Sequence, residues 1–345
     1  MAGPDATAPD GVPAPPPTAP ARIVFFGSGA FALPILERLA SLDSVRLVAV
    51  VSTPDRPAGR HGDPAPTPVA ARARAAGIPL LQPASLRTDE AAAELGACRP
   101  DAAVLADYGR ILPASILAVP PHGFLDLHPS LLPRHRGATP IPASIAAGDP
   151  ETGVTLFRMD PGMDTGPIVA TSRRTLDGTE DAPALEAALA ADAADLLAAS
   201  LAPWLSGDLL ERPQPDAGVT VTRPFRRADG ALDPAMPAAA LERRVRALRP
   251  WPGTYLEMPD GRLIVRAASV ASGPGPAPGA ASAAALGDVV AHGAGLALVS
   301  ADGLLVLDVV QTPGGRAMTG AEARRGRPTL AGTRTLRPVS ESVAT

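Results

Sequence analysis

Residues 22–32 read Arg-Ile-Val-Phe-Phe-Gly-Ser-Gly-Ala-Phe-Ala. An unbroken apolar run with no polar alternation is the pattern of a strand covered on both faces, as in a parallel sheet. Gly27-Ser28-Gly29 then turns the chain tightly, and Pro34, Leu36 and Leu39 fall at helical spacing. Strand, glycine turn and helix start together open a doubly wound α/β domain. The turn is not a full dinucleotide fingerprint. Ala32 fills the third glycine position, and the next strand, Val45 to Val51, runs into Ser-Thr-Pro where a ribose-binding fold carries an acidic residue.

The alternation continues from there. Helices are expected at 67–76 and 88–98, strands at 80–82 and 101–106, and a buried strand ending in Phe124-Leu125-Asp126-Leu127. A helix at 140–147, strands at 152–159 and 167–175, and a long Ala/Leu helix at 182–206 complete a mostly parallel, Rossmann-like sheet domain over 21–206. The Pro/Ala-rich residues 1–20 are expected as a disordered tail. Residues 207–219 have linker composition. Residues 220–337 read as short strands broken by Gly, Pro and Asp-Gly turns around one helix at 238–248, a small OB-like β-barrel, with 338–345 as a second tail.

Composition narrows the function. With 46% hydrophobic residues in 345, two cores can be filled. The single cysteine, Cys98, excludes an internal disulfide and any cysteine-based zinc cluster. No apolar run reaches membrane-span length, and the first twenty residues lack the charged-then-apolar order of a secretory signal, so a cytoplasmic protein is expected. The net charge of −4 speaks against general polyanion binding, yet the charge is divided unevenly. From Thr220 onward 15 Arg stand against 10 acidic residues, whereas the first 219 residues hold 16 Arg against 25. A basic back half is suited to a polyanionic partner.

The chemistry-bearing residues gather between 124 and 166. In a strand, Asp126 and His128 lie two residues apart and so on one face, at the carboxyl end where open α/β sheets place ligands. Asp160-Pro161-Gly162-Met163-Asp164-Thr165-Gly166 leaves the later strand through a turn, which allows Asp164 to reach the same edge. His122, His128 and His135 have neither a helical His pair nor a carboxylate frame, and no metal is expected.

Several segments together carry a family resemblance: 26–32 (FGSGAFA), 54–60 (PDRPAGR), 106–113 (ADYGRILP), 128–137 (HPSLLPRHRG), and Gly153-Val154-Thr155 through Met163-Asp164-Thr165-Gly166-Pro167. With 246–253 (RALRPWPG) and 314–319 (GGRAMT), they resemble the methionyl-tRNA formyltransferases over about residues 22–335. The resemblance implies transfer of a formyl group from 10-formyltetrahydrofolate to the α-amino group of methionyl initiator tRNA, in translation initiation, by a monomer. It implies catalytic roles for Asp126, His128 and Asp164. Folate is then held around Ala106, Asp107, Tyr108 and Gly109 and by Ser130, Leu131, Leu132 and Pro133, and tRNA by Arg60, Arg246 and Arg249. Another folate-dependent formyltransferase, a formyltetrahydrofolate hydrolase and a non-catalytic tRNA-binding relative are the alternatives.

One position departs from the pattern. Where the family carries an Asn whose amide N–H donates to the developing oxyanion, this chain has Asp126. An ionised carboxylate only accepts, and loss of one oxyanion donor costs about 10²–10³ in rate. Three outcomes stay open from the sequence: a protonated Asp126 that still donates, a slow enzyme, or lost catalysis.

Overall fold

The computed structural model describes residues 20–58, 63–272 and 284–336. They divide into two compact units, the first made of residues up to Gly137 with Gly153–Arg174 and Glu186–Val221, the second of Ala138–Thr152, Thr175–Leu185 and the residues from Thr222 onward.

The first unit is built on β1 (Ala21–Gly27), followed by α1 (Ala32–Ala40) and β2 (Val45–Val51). The short strands β3 (Arg56–Ala58) and β4 (Asp63–Ala65) pair antiparallel within the Pro/Gly-rich stretch after β2. Helix α2 (Pro68–Ala75) starts cleanly because Thr67 accepts a hydrogen bond from the N–H of Ala70 and Pro68 occupies the first turn. Next come β5 (Leu80–Leu81) and α3 (Asp89–Ala97), the latter capped by Thr88 with Asp89 and Glu90 at the positive end of its dipole. Strand β6 (Ala102–Ala106), the short helix α4 (Ala114–Leu117), β7 (Phe124–His128) and β8 (Arg136–Gly137) follow.

Helix α5 (Pro140–Ala147) belongs to the second unit; β9 (Glu151–Arg158) and β10 (Ile168–Thr175) return to the first, and α6 (Ala182–Leu205) runs 24 residues. The sheet order is β10-β9-β7-β6-β1-β2-β5. Strands β5, β2, β1, β6 and β7 pair parallel, while β9 pairs antiparallel to β7 and sets His128 opposite Thr155. The chain leaves β1 toward one edge and resumes at β6 on the other side, so β1 and β6 flank the switch point where open sheets bind ligands. The continuous apolar runs of β6 and β7 are buried along their whole length. The core on one face packs Phe26 edge-on against Tyr108 and Phe124, with Val24, Leu95 and Ile116.

The second unit contains β11 (Val221–Thr222, at the boundary), α7 (Ala238–Ala247) and the strands β12 (Thr254–Met258), β13 (Gly261–Val270), β14 (Val289–His292), β15 (Gly295–Val299), β16 (Leu304–Gln311) and β17 (Ala317–Thr319). They form an antiparallel, barrel-like sheet of order β12-β13-β16-β15-β14, with β17 on β16. Leu241 and Val245 of α7 pack into its core with Leu256, Leu296, Leu305 and Val310. Helix α8 (Gly320–Gly326), absent from the sequence reading, is nucleated by a capping box in which Thr319 and Glu322 bond each other's backbone. Residues 1–19, which hold the expected tail, and most of the 272–285 insert lie outside the described residues.

Candidate active site

At the switch point the glycine turn after β1 meets the loop after β6. The N–H groups of Ser28 and Gly29 donate to the main-chain oxygen of Asp107 at 2.9 and 3.2 Å, and Ser28 Oγ donates to the carbonyl of Tyr108 at 3.2 Å. A Cβ at position 29 would meet the Asp107 carboxylate as it stands, so a side chain there requires that carboxylate to turn away. Asp107 is held at φ 47°, and Gly109 follows at φ 78° with open space where a Cβ would stand. Asp107 keeps exposed atoms, yet the protein packed around it and the charge of Glu186 push its carboxyl up to about 6. Tyr108 is buried in the core, and its hydroxyl has no hydrogen-bond partner among the described residues.

Strand β7 presents Asp126 and His128, both buried, at 7% and 5% exposure. His128 Nε2 lies 2.9 Å from the carbonyl oxygen of His135. A carbonyl only accepts, so Nε2 carries the proton of the neutral ring and Nδ1 carries the lone pair. Nδ1 faces Asp164 Oδ2 at 3.6 Å. The ring is therefore oriented by a fixed backbone group at one nitrogen and open to proton exchange beside a carboxylate at the other. Burial pulls the His128 pKa below its ordinary value, and the Asp164 charge pulls it partly back.

Asp126 moves the opposite way. Burial is the largest cause, followed by the negative charge of Asp164, and Asp107 adds to both, so its pKa stands well above the usual carboxylate range; the Leu127 N–H only partly opposes this. A buried carboxyl beside a second carboxylate is pushed toward its neutral form, and in that form it has an O–H to donate.

Asp164 sits in the left-handed region at φ 56°, unusual for a residue with a side chain. Its carboxylate is fixed by the N–H of Gly137, which donates to Oδ2 at 2.6 Å. Asp160 organises the turn before it by accepting from the Gly162 N–H at 3.0 Å and from Thr165 Oγ1 at 2.7 Å. A Cβ on Gly166 would strike the carbonyl of Arg158, so the turn closes only with glycine there.

The loop after β7 is wired largely to itself and to β9. Ser130, fully buried, donates its hydroxyl proton to the Arg134 carbonyl at 2.6 Å. Thr155 Oγ1 donates to the Ser130 carbonyl at 2.7 Å and accepts from the Leu132 N–H at 3.1 Å. Leu132 and Pro133 are buried and Leu131 is half-buried. Ala106 is buried at the end of β6.

Of the expected tRNA contacts, Arg60 lies outside the described residues. Arg246 is largely covered, bonds both oxygens of Glu242 at 2.6 and 2.9 Å, and reaches the Glu180 carbonyl at 2.5 Å. Arg249 pairs with Asp181 at 3.3 Å and donates to the Arg266 carbonyl. Among the described residues no group of three or more His, Cys, Asp or Glu side chains is arranged to hold a metal ion, and no helix is long and apolar enough to cross a membrane.

Sequence reasoning missed the segment 207–219. Arg212 bridges to Ile168 through two main-chain bonds of 2.9 and 2.7 Å. Gln214 reaches the main chain on both sides of Thr165, and Thr220 Oγ1 accepts from the His135 N–H at 2.7 Å. The one hint was a glutamine set between two prolines, Pro213 and Pro215, which together favour extended chain.

Residues 21–201 match the family described as Formyl transferase, and residues 225–328 that described as Formyl transferase, C-terminal domain. A methionyl-tRNA formyltransferase of Roseiflexus castenholzii is 41% identical over 88% of this chain and 96% of its own length. That of Thermus thermophilus is 42% identical over 91% and 98%. In fold, the chain is similar to an N-formyltransferase of Helicobacter canadensis solved with folinic acid and dTDP-3-aminofucose, at a TM-score of 0.60 and 15% identity, covering 83% of this chain and 98% of that one. With both domains matched and relatives this similar over nearly their full length, the chain belongs to the methionyl-tRNA formyltransferase family.

Proposed function

We propose that this protein transfers the formyl group of 10-formyltetrahydrofolate to the α-amino group of methionyl initiator tRNA. The observation that carries the reading is the trio on and beside β7: a buried His128 oriented by a main-chain carbonyl, a half-buried Asp164 at its free nitrogen, and a buried carboxyl at Asp126 held toward its neutral form.

The switch-point surface suits a folate, because Gly109 leaves open space beside the carboxyl edge of β6, where Ala106 ends the strand and the Asp107–Gly109 loop follows. Ser130 to Pro133 would border it. The folate supplies an electrophilic formyl carbon. His128 Nδ1 then takes the proton that the attacking amine must lose, and Asp164 stabilises the imidazolium so formed. The protonated Asp126 donates to the charge developing on the formyl oxygen, as an amide N–H would. The proton held at His128 is available for the departing nitrogen, so the exchange is proton-neutral.

Arg60 and Arg249 are proposed to meet the tRNA backbone, Arg249 keeping about a third of its side chain exposed at 37%. Arg246 is expected chiefly to brace the second unit and would meet the tRNA only on leaving Glu242. The test is formyl-methionyl-tRNA production from charged initiator tRNA and 10-formyltetrahydrofolate. Formate release without acyl transfer, or transfer to a small amine alone, would overturn the reading.

A further inference from the structure

Gln214 lies in a segment whose composition is that of a linker, yet all three polar positions of its amide are engaged. Nε2 donates to the carbonyls of Asp164 and Gly166, each at 2.8 Å. Oε1 accepts from Arg136 Nε at 3.1 Å and Nη2 at 2.6 Å. Arg136 immediately precedes Gly137, whose N–H holds the Asp164 carboxylate at 2.6 Å. The bonds close a ring: Gly137 to the Asp164 carboxylate, the Asp164 carbonyl to Gln214, Gln214 to Arg136, and Arg136 by the chain back to Gly137.

This ring bears on a residue that its own backbone does not favour. Asp164 is held at φ 56°, a left-handed conformation disfavoured for a residue with a Cβ, which persists only when its surroundings enforce it. The Gly137 N–H fixes the side chain, and without Gln214 the main chain carrying it would lose two donors. Only a primary amide supplies two N–H donors on one nitrogen and an acceptor on the other arm. Pro213 and Pro215 restrict the backbone on either side and so present that amide with little conformational freedom to lose.

We propose that Gln214 is a positioning residue for formyl transfer, acting through the main chain of Asp164–Gly166 to hold the Asp164 carboxylate against His128 Nδ1. The proposal rests on the formyl-transfer reading above. It assigns to residues 207–219, whose composition is that of a linker, a part in the chemistry of the first unit. A displacement of a catalytic group by about 1 Å can cost of order 10² in rate, so the effect belongs in kcat.

The experiment compares wild type, Gln214→Met and Gln214→Glu in steady-state formylation of charged initiator tRNA across pH, with thermal melting of each. Methionine keeps the side-chain length and removes all four bonds without adding charge. Expected is a fall of about tenfold or more in kcat with KM for either substrate within about threefold, and an acid limb moved to lower pH as His128 loses the nearby Asp164 charge. Glutamate keeps the acceptor for Arg136 but loses both donors, and a comparable fall in kcat is expected. Wild-type kcat in a folded Gln214→Met, or an acid limb that does not move, overturns the proposal. Should Gln214→Met unfold at assay temperature, Gln214→Glu decides, and near-wild-type kcat from it overturns the proposal equally. Asp216→Ala, an exposed change on the same segment, is expected to leave kcat unchanged. Wild type that forms no formyl-methionyl-tRNA would instead refute the underlying reading, a result distinct from any of these.

Discussion

His128 Nδ1 faces Asp164 Oδ2 at 3.6 Å while its other nitrogen donates to the His135 carbonyl at 2.9 Å. With one nitrogen fixed by the main chain, the imidazole has one site left for proton exchange. That site is the one beside the carboxylate, so the pair works as a base with a built-in counter-charge.

Asp164→Asn should therefore lower kcat by about 10²-fold and move the acid limb of kcat downward. The sign follows from the causes. Burial depresses the His128 pKa and the Asp164 charge opposes it, so removing that charge depresses it further. The basic form of His128 then persists to lower pH, although it gives a poorer reaction. A limb that moves upward would contradict the pairing.

Asp126 affects stability as well as rate. Its folded pKa is raised, so the native state resists losing a proton that the unfolded chain gives up near pH 4. Above that pH, ionisation favours the unfolded chain increasingly until the folded pKa is reached, and stability declines across the interval. Asp126→Asn removes this dependence. Its Tm relative to wild type should rise with pH from about 4 upward; a constant difference would show that the carboxyl is not held neutral.

The two arginines of the second unit should separate. Arg249→Ala is expected to weaken tRNA binding and reduce the salt slope of log Kd by about 1, the signature of one phosphate contact. Arg246→Ala should act mainly on stability, because its guanidinium is bonded to Glu242 and Glu180. Equal salt slopes for wild type and Arg249→Ala would remove Arg249 from the interface.

Tyr108→Phe deletes a buried hydroxyl that has no partner among the described residues. Leaving such a group unsatisfied costs about 1–3 kcal/mol, so the variant should melt at a higher temperature. If folate is held by the main chain at this loop, its KM for the folate should stay within about twofold; a large rise would assign the hydroxyl to the ligand.

Much of the first unit was legible in the sequence because its strands are buried on both faces and read as uninterrupted apolar runs, as in Ile23–Phe26 and Ala102–Ala106. Period two likewise puts Asp126 and His128 on one face. The meeting of His128 with Asp164 could not be read that way, since it needs the antiparallel β7/β9 register and a left-handed aspartate. Strands β3 and β4 escaped because three residues each, rich in proline, show no alternation. Helix α8 was missed despite a sequence cue, the Thr319–Glu322 capping box, because its seven residues are bounded by glycines. Gln214 was hidden by composition: a Pro-rich, polar stretch reads as a connector, and the bonds that hold it are made to residues some fifty positions away.

The most direct test is the pH profile of kcat for wild type beside Asp126→Asn. With Asp126 neutral and donating, the two should agree within about threefold near neutrality, and wild type alone should lose activity at alkaline pH as Asp126 gives up its proton, toward a deficit of about 10²–10³. A wild type already slower than Asp126→Asn by that factor at neutral pH, with parallel profiles above it, would show an ionised Asp126 and contradict the neutral-donor mechanism.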